Sequence, residues 1–181
     1  MTRRKIIKKG KWISLGEIYW ETEDGKTRTW EYATRQESCG AVCIVAIKRG
    51  DPDLLILVNQ FRPPLNRRII ELPAGLIEPG ETAPQTALKE LQEETGYQGY
   101  VLKWGPPVYN SPGLTDERVT TVMVEVTSQG NQKLEAEESI EVLEVPLENL
   151  RDHLESIHRD GVEIDAKLWC LAEGLSFFLP D

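Results

Sequence analysis

An α+β domain, with a mixed sheet between helices, is the fold class this sequence predicts. Three observations carry the prediction. Short runs of branched apolar residues, "GAVCIVAIKR" and "LLILVNQFR", have the length and composition of buried strands. Two alternating runs flank Asp24-Gly25, a hairpin signal. Segments with helical periodicity interrupt the strand-like ones and close the chain, with no repeat, low-complexity tract or linker between them.

Taken in order, "KWISLGEIYW" and "TRTWEYATR" form the hairpin, and Gly40–Arg49 and Leu54–Arg62 the two buried strands. "ELPAGLIEPGET" is punctuated by Pro73, Gly75, Pro79 and Gly80 and reads as a loop. Thr82 to Thr95 is a helix. Thr82 caps it, Gln85 completes a capping box, and Gly96 stands just past its end. "VTTVMVEV" and "SIEVLEVP" are further strands. Pro146 to His158 and Glu163 to Phe178 are expected as closing helices.

The 181 residues suffice for one domain with a sizeable core. A formal net charge of −9 repels nucleic-acid phosphate, so nucleic acid is not an expected partner. No segment approaches a membrane span and no apolar run suits a signal peptide, so a cytoplasmic protein is expected. The odd set Cys39, Cys43 and Cys170 argues against a disulfide framework and for a reducing compartment. With only His153 and His158 available, any metal site must use oxygen ligands. The basic cluster Arg3, Arg4, Lys5, Lys8 and Lys9 reads as a solvated strand or tail, or as a contact for phosphate or a partner.

The stretch "ALKELQEETGY" is the most informative. At ~3.6 residues per turn, Glu90, Glu93 and Glu94 fall within an arc of roughly 100°, beside the arc of Ala87, Leu88 and Leu91 that seeks a core. Like charges three and four residues apart weaken a helix by a few tenths of a kcal/mol per pair, roughly. A divalent cation would offset that repulsion. Hard carboxylate oxygens plus a backbone carbonyl from the glycine loop upstream suit Mg²⁺, with Mn²⁺ an alternative.

The segment from Gly75 to Tyr97, 23 residues, resembles the Nudix box, G-x5-E-x7-R-E-U-x-E-E-x-G-U with U apolar. Every fixed glycine and glutamate is present. Lys89 stands where Arg is usual and Tyr97 where an aliphatic residue is common. Lysine keeps the charge without the planar fork, so it orients neighbouring glutamates less firmly. The resemblance implies an α/β/α sandwich and hydrolysis of a nucleoside diphosphate linked to another group. It implies Glu90 and Glu94 as main metal ligands, Glu93 as a further ligand or the holder of a bridging water, the Ala74 carbonyl in the inner shell, and Glu81 as a support for the loop.

"GKTRTWE", "QFRPP", "IIELPAGLIEPGET" and "NSPGLTDE" are similar to the ADP-ribose and ADP-sugar pyrophosphatase branch, as is Pro112, 16 residues after Gly96. That likeness implies hydrolysis of ADP-ribose to AMP and ribose 5-phosphate. Another nucleoside diphosphate sugar, such as ADP-glucose or GDP-mannose, and a sensor that binds ADP-ribose without hydrolysing it are the alternatives. It implies Trp12 and Trp30 stacking on adenine, where core or interface packing is the other reading, Glu31 reading the adenine edge, and Arg35, Arg62 and Leu76 contacting substrate. The base is expected in "KLEAEESIEV". Glu138, two residues before the strand at Ile140, matches best, with Glu135 and Glu137 as alternatives. The likeness also implies a homodimer, with residues 1–36 forming a β region for dimerisation and adenine contact and 37–181 the hydrolase domain.

Overall fold

The computed structural model describes residues 2–36, 39–136 and 138–177. In chain order the elements are β1 (Arg3–Lys9), β2 (Ile13–Glu21), β3 (Thr27–Arg35), β4 (Ala41–Lys48), β5 (Leu54–Arg62), β6 (Arg67–Glu71), β7 (Ala74–Leu76) and α1 (Ala83–Thr95). There follow β8 (Tyr97–Trp104), β9 (Val108–Tyr109), β10 (Arg118–Gln129), β11 (Ile140–Pro146), α2 (Leu150–Arg159), β12 (Glu163–Ile164) and α3 (Ala166–Ser176).

The strands form two sheets. β1, β2 and β3 make a small antiparallel sheet, in which β2 and β3 are the expected hairpin. The basic segment is its third strand, pairing with β2 across an irregularity between Ile6 and Lys8. The larger sheet runs β12-β6-β5-β4-β10-β8. It is mixed, because β4 and β10 pair in parallel, as do β6 and β12, while its other pairs are antiparallel.

β5 organises this sheet. Along one edge it pairs with β11 over most of its length, from Leu54 opposite Pro146 to Gln60 opposite Ile140. Its other edge is divided. The first part pairs with β4 and the last part with β6. Successive side chains of a strand point to opposite faces. Leu55 and Leu57 therefore pack with Leu150, Leu154, Leu168 and Ala172 of α2 and α3. Ile56 packs on the other side with Ala87 and Leu91 of α1. Helices cover both faces, which is the expected α/β/α sandwich.

α1 begins and ends as its sequence dictates. The Thr82 N–H donates to Gln85 Oε1 at 3.0 Å, half of the capping box. Gly96 adopts φ 76°, a left-handed conformation that ends the helix with its N–H on Gln92 O. A Cβ there would lie 2.4 Å from Gly130 O, so the tight crossing of residue 130 also demands glycine.

Three sequence expectations need correction. The glycine-rich loop is not wholly irregular, since Ala74–Leu76 pairs with Ala41–Cys43 of β4. Pro146 does not open a helix. It ends β11, which pairs only with β5 and so tolerates a missing N–H on its free edge. Glu163 and Ile164 form β12 beside β6, and α3 starts only after Asp165, whose side chain accepts from Lys167 N at 2.9 Å. The expected helix end at Phe178 lies outside the described residues. β8 had no counterpart in the sequence reading, because Tyr100, Leu102 and Trp104 place apolar side chains on its exposed face and blur the alternation. Among the described residues no helix is long and apolar enough to cross a membrane.

Candidate active site

The acidic helix lies against β7. Pro73 O accepts from Ile44 N at 2.8 Å, so the neighbouring Ala74 turns its backbone groups away from β4 and toward α1. There the Ala74 N–H donates to Glu94 Oε2 at 3.1 Å. Gly75 is required by close approach. A Cβ on it would stand 2.1 Å from Glu90 Cδ, inside the carboxylate. The glycine of the motif thus makes room for one of its glutamates.

These carboxylates are placed at a cost in charge. Glu94 is only 5% exposed, deeper than the edge position its helical phase suggests, while Glu90 and Glu93 are half-buried. Burial, then repulsion from Glu93, pushes the Glu90 carboxyl up to about 7. Burial likewise pushes Glu94 to about 8, with Glu90 and Glu138 adding repulsion against the Ala74 N–H and Arg62, which favour its charged form. Such a set wants a cation. Its donors are hard oxygens, which fit Mg²⁺ or a similar divalent ion. Among the described residues, however, no three acidic, His or Cys side chains yet converge closely enough to enclose one. The donor chemistry fits a divalent metal ion.

Glu81 stands apart from this set. Its carboxylate accepts from Thr86 Oγ1 at 2.8 Å and lies 3.7 Å from Lys89 Nζ, which also reaches Glu78 at 3.4 Å. These contacts tie the end of the glycine-rich loop to α1. Lys89 pairs at long range, in keeping with a point charge in place of a fork.

Beside β7 opens a cleft of about 520 Å³, lined by Arg35, Arg62, Ala74, Gly75, Leu76 and Glu117 among others. Three expected substrate contacts, Arg35, Arg62 and Leu76, therefore share one cleft with the Ala74 loop. Both arginines are already engaged. Arg62 forms a fork with the buried Glu71 at 2.6 and 2.9 Å. Arg35 Nε donates to Glu117 Oε1 at 3.0 Å. These bonds fix the guanidinium planes at the cleft wall.

Glu138 is exposed, and its Oε2 accepts from Glu135 N at 2.9 Å. Its charge reaches both Glu90 and Glu94. Glu137 lies outside the described residues. Two residues that the sequence reading missed hold this loop. The Gln132 amide donates to Glu94 O at 2.6 Å and to Ile140 O at 3.2 Å, tying the end of α1 to the start of β11. Arg68 donates to Ser139 O and Ser139 Oγ, each at 3.3 Å. Lys133 N on Glu93 O at 2.8 Å completes the lacing. No local pattern signals Gln132 or Arg68, because their partners are remote in sequence.

The aromatic group is not assembled within one chain. Trp12 and Trp30 are 68% and 54% exposed. Trp12 O accepts from Gln36 N, so Trp12 sits opposite Gln36, six positions along from Trp30. At ~3.3 Å per residue the two lie roughly 20 Å apart along the ladder. Trp30 Nε1 donates to Gly113 O at 3.0 Å, and Glu31 alternates to the opposite face of β3.

Comparison with known proteins agrees with this architecture. The NUDIX domain model matches residues 38–165. An ADP-ribose pyrophosphatase of Saccharomyces cerevisiae is 38% identical over 91% of this chain and 77% of its own length. An ADP-sugar pyrophosphatase of Mus musculus is 35% identical over 93% and 84%. An ADP-ribose pyrophosphatase of Bacillus subtilis is 40% identical over 84% and 81%. The crystal structure of an ADP compounds hydrolase superposes with a TM-score of 0.73 over 98% of this chain and 94% of that one, at 17% identity, which speaks for the fold. With the motif, its packing and these matches in agreement, the chain belongs to the Nudix hydrolase family.

Proposed function

We propose that the chain hydrolyses the pyrophosphate bond of ADP-ribose, or a closely related ADP-sugar, with Mg²⁺ and with Mn²⁺ as a substitute. One water is consumed, and ADP-ribose yields AMP and ribose 5-phosphate. The observation that carries this reading is the packing of Glu90 and Glu94 against Ala74 and Gly75, beside a cleft walled by Arg35 and Arg62. The relatives named for ADP-ribose and ADP-sugar pyrophosphatase activity support the substrate class.

Glu90, Glu93, Glu94 and the Ala74 carbonyl would hold the ion. Bound there, it supplies positive charge to the phosphoryl oxygens as the P–O bond breaks. Glu138 takes the proton of the attacking water, and Glu93 orients that water. Arg62 and Arg35 bind phosphate and ribose, Leu76 packs on the substrate, and Glu31 reads the adenine edge. Trp12 and Trp30 stack on the base.

The separation of the two rings supports a homodimer in which each adenine takes Trp12 from one chain and Trp30 from the other. The sheet of residues 1–36 would form the two-fold interface, with 37–181 as the hydrolase domain. The boundary between them falls after Gln36, and positions 37 and 38 lie outside the described residues. Three free thiols, Cys39, Cys43 and Cys170, suit the cytoplasm.

A panel of nucleoside diphosphate sugars, assayed with and without chelator and with phosphatase-coupled phosphate release, tests the reading. ADP-ribose should turn over fastest, and chelator should stop it. No metal-dependent hydrolysis of any ADP-sugar would refute the proposal.

A further inference from the structure

Gln60 on β5 is more than nine-tenths buried, at 9% exposure, and its Nε2 has no hydrogen-bond partner among the described residues. A buried donor left unpaired is destabilising and rare, so its position matters. Even-numbered residues of β5 face α1, as Ile56 shows by packing with Ala87 and Leu91. Gln60 lies on that face, directly opposite Ile140 of β11 and two residues before Arg62. Ile140 O is itself within reach of the Gln132 amide that also grips Glu94 O. The unpaired amide is therefore buried on the face of the sheet that α1 covers, beside the strand position that Gln132 ties to Glu94 O.

We propose that Gln60 is a positioning residue for Glu94, donating its Nε2–H to the carboxylate once that group turns to take up the divalent ion. The inference rests on the metal-dependent reading above. The Ala74 N–H occupies Glu94 Oε2, and a carboxylate has further acceptor sites on both oxygens. Ionised carboxylates accept only, so a neutral donor facing them is chemically matched. Hydrogen bonds to ligating carboxylates fix their orientation, and their removal typically weakens metal affinity or activity ~10–100-fold. Asn59 Oδ1 is also unpaired, but it belongs to the opposite face of β5 and takes no part.

Gln60→Met keeps length and bulk and removes the donor. Titration of the purified protein with Mn²⁺ in a calorimeter should show binding weakened about tenfold or more. The metal-free Tm should stay level or rise, because an unsatisfied donor has gone. Asn59→Ala serves as a control for disturbance of the strand and should leave Mn²⁺ affinity within about twofold. Affinity of Gln60→Met within about threefold of wild type overturns the proposal. So does a fall of several degrees in its metal-free Tm, which marks a packing role, or an equal loss of affinity in the control. A wild type that binds no Mn²⁺ overturns it too. Neither readout involves substrate. Failure of wild type to cleave ADP-ribose, with Mn²⁺ binding intact, would remove the substrate assignment and leave the Gln60 result standing.

Discussion

The face of α1 and the small N-terminal sheet invert each other's chemistry. On α1, charged groups are buried: Glu94 is nearly inaccessible, and both it and Glu90 are driven toward neutrality. On the sheet, apolar groups are exposed: Trp12, Trp30, Ile6, Ile7 and Ile13 all stand in solvent. Each region violates the ordinary partition of polar out and apolar in. Each therefore asks for a partner, a cation in the first case and an apolar or aromatic surface in the second. What a chain misplaces marks what it binds.

The largest effect should come from breaking the buried charge. Glu94→Gln is expected to lower turnover of ADP-ribose by ~10³-fold or more, as when a group central to charge stabilisation is lost. The same variant should raise the metal-free Tm at pH 8, since a neutral amide replaces a repelled carboxylate. Unchanged turnover would mean that Glu94 holds no ion. Glu138→Gln should reduce kcat ~10²–10⁴-fold with KM and metal affinity little changed, the range of a lost general base. If it stays active while Glu135→Gln or Glu137→Gln is dead, the base is elsewhere in the same loop.

Gly75→Ala should cost ~10–100-fold in metal affinity, because its methyl would occupy the place of the Glu90 carboxylate. On the sheet side, Trp12→Ala and Trp30→Ala should each raise KM ~5–150-fold with kcat retained, from ~1–3 kcal/mol of stacking per base. Refolding the two variants together should restore part of the low-substrate activity, through heterodimers with one intact pair of rings. No recovery, or a fully active monomer by sedimentation, would refute the shared site.

The smallest effect is on pH. A carboxyl with a folded pKa above its unfolded value favours the fold in full below about 4.5, the unfolded value, and loses that contribution as pH rises through the folded value. For Glu90 and Glu94 the loss extends to pH 7 and 8. Metal-free protein should therefore lose a few degrees of Tm between pH 6 and pH 8, roughly. Saturating Mg²⁺ should flatten that slope. An equal slope with and without Mg²⁺ would separate the shifted carboxyls from the ion.

The sequence made α1 legible because its information is local. The cap at Thr82, the stop at Gly96 and the glutamate spacing all lie within one short segment. β4 and β5 were legible for a related reason, since strands buried on both faces carry unbroken apolar runs. Residues whose meaning depends on distant partners were not. Gln132 reaches Glu94 and Ile140, Arg68 reaches Ser139, and Gln60 faces α1 only because β5 alternates beneath it. Pro146 misled because proline is favoured in the first turn of helices, and here the free edge of β11 accepts it.

The parallel pairing of β4 with β10 has a consequence for how the protein is made. Ala41 to Ile47 cannot gain this partner until Val119 to Glu125 has been synthesised, and β5 waits longer still for Ile140 to Pro146. On the ribosome, α1 emerges after β4 to β7 but before β8, β10 and β11, which complete the sheet that buries it. Until then its glutamates are less deeply buried, and their carboxyls lie nearer the free-peptide range. The burial that shifts these carboxyls is therefore complete only late, once the strands that flank β4 and β5 have closed.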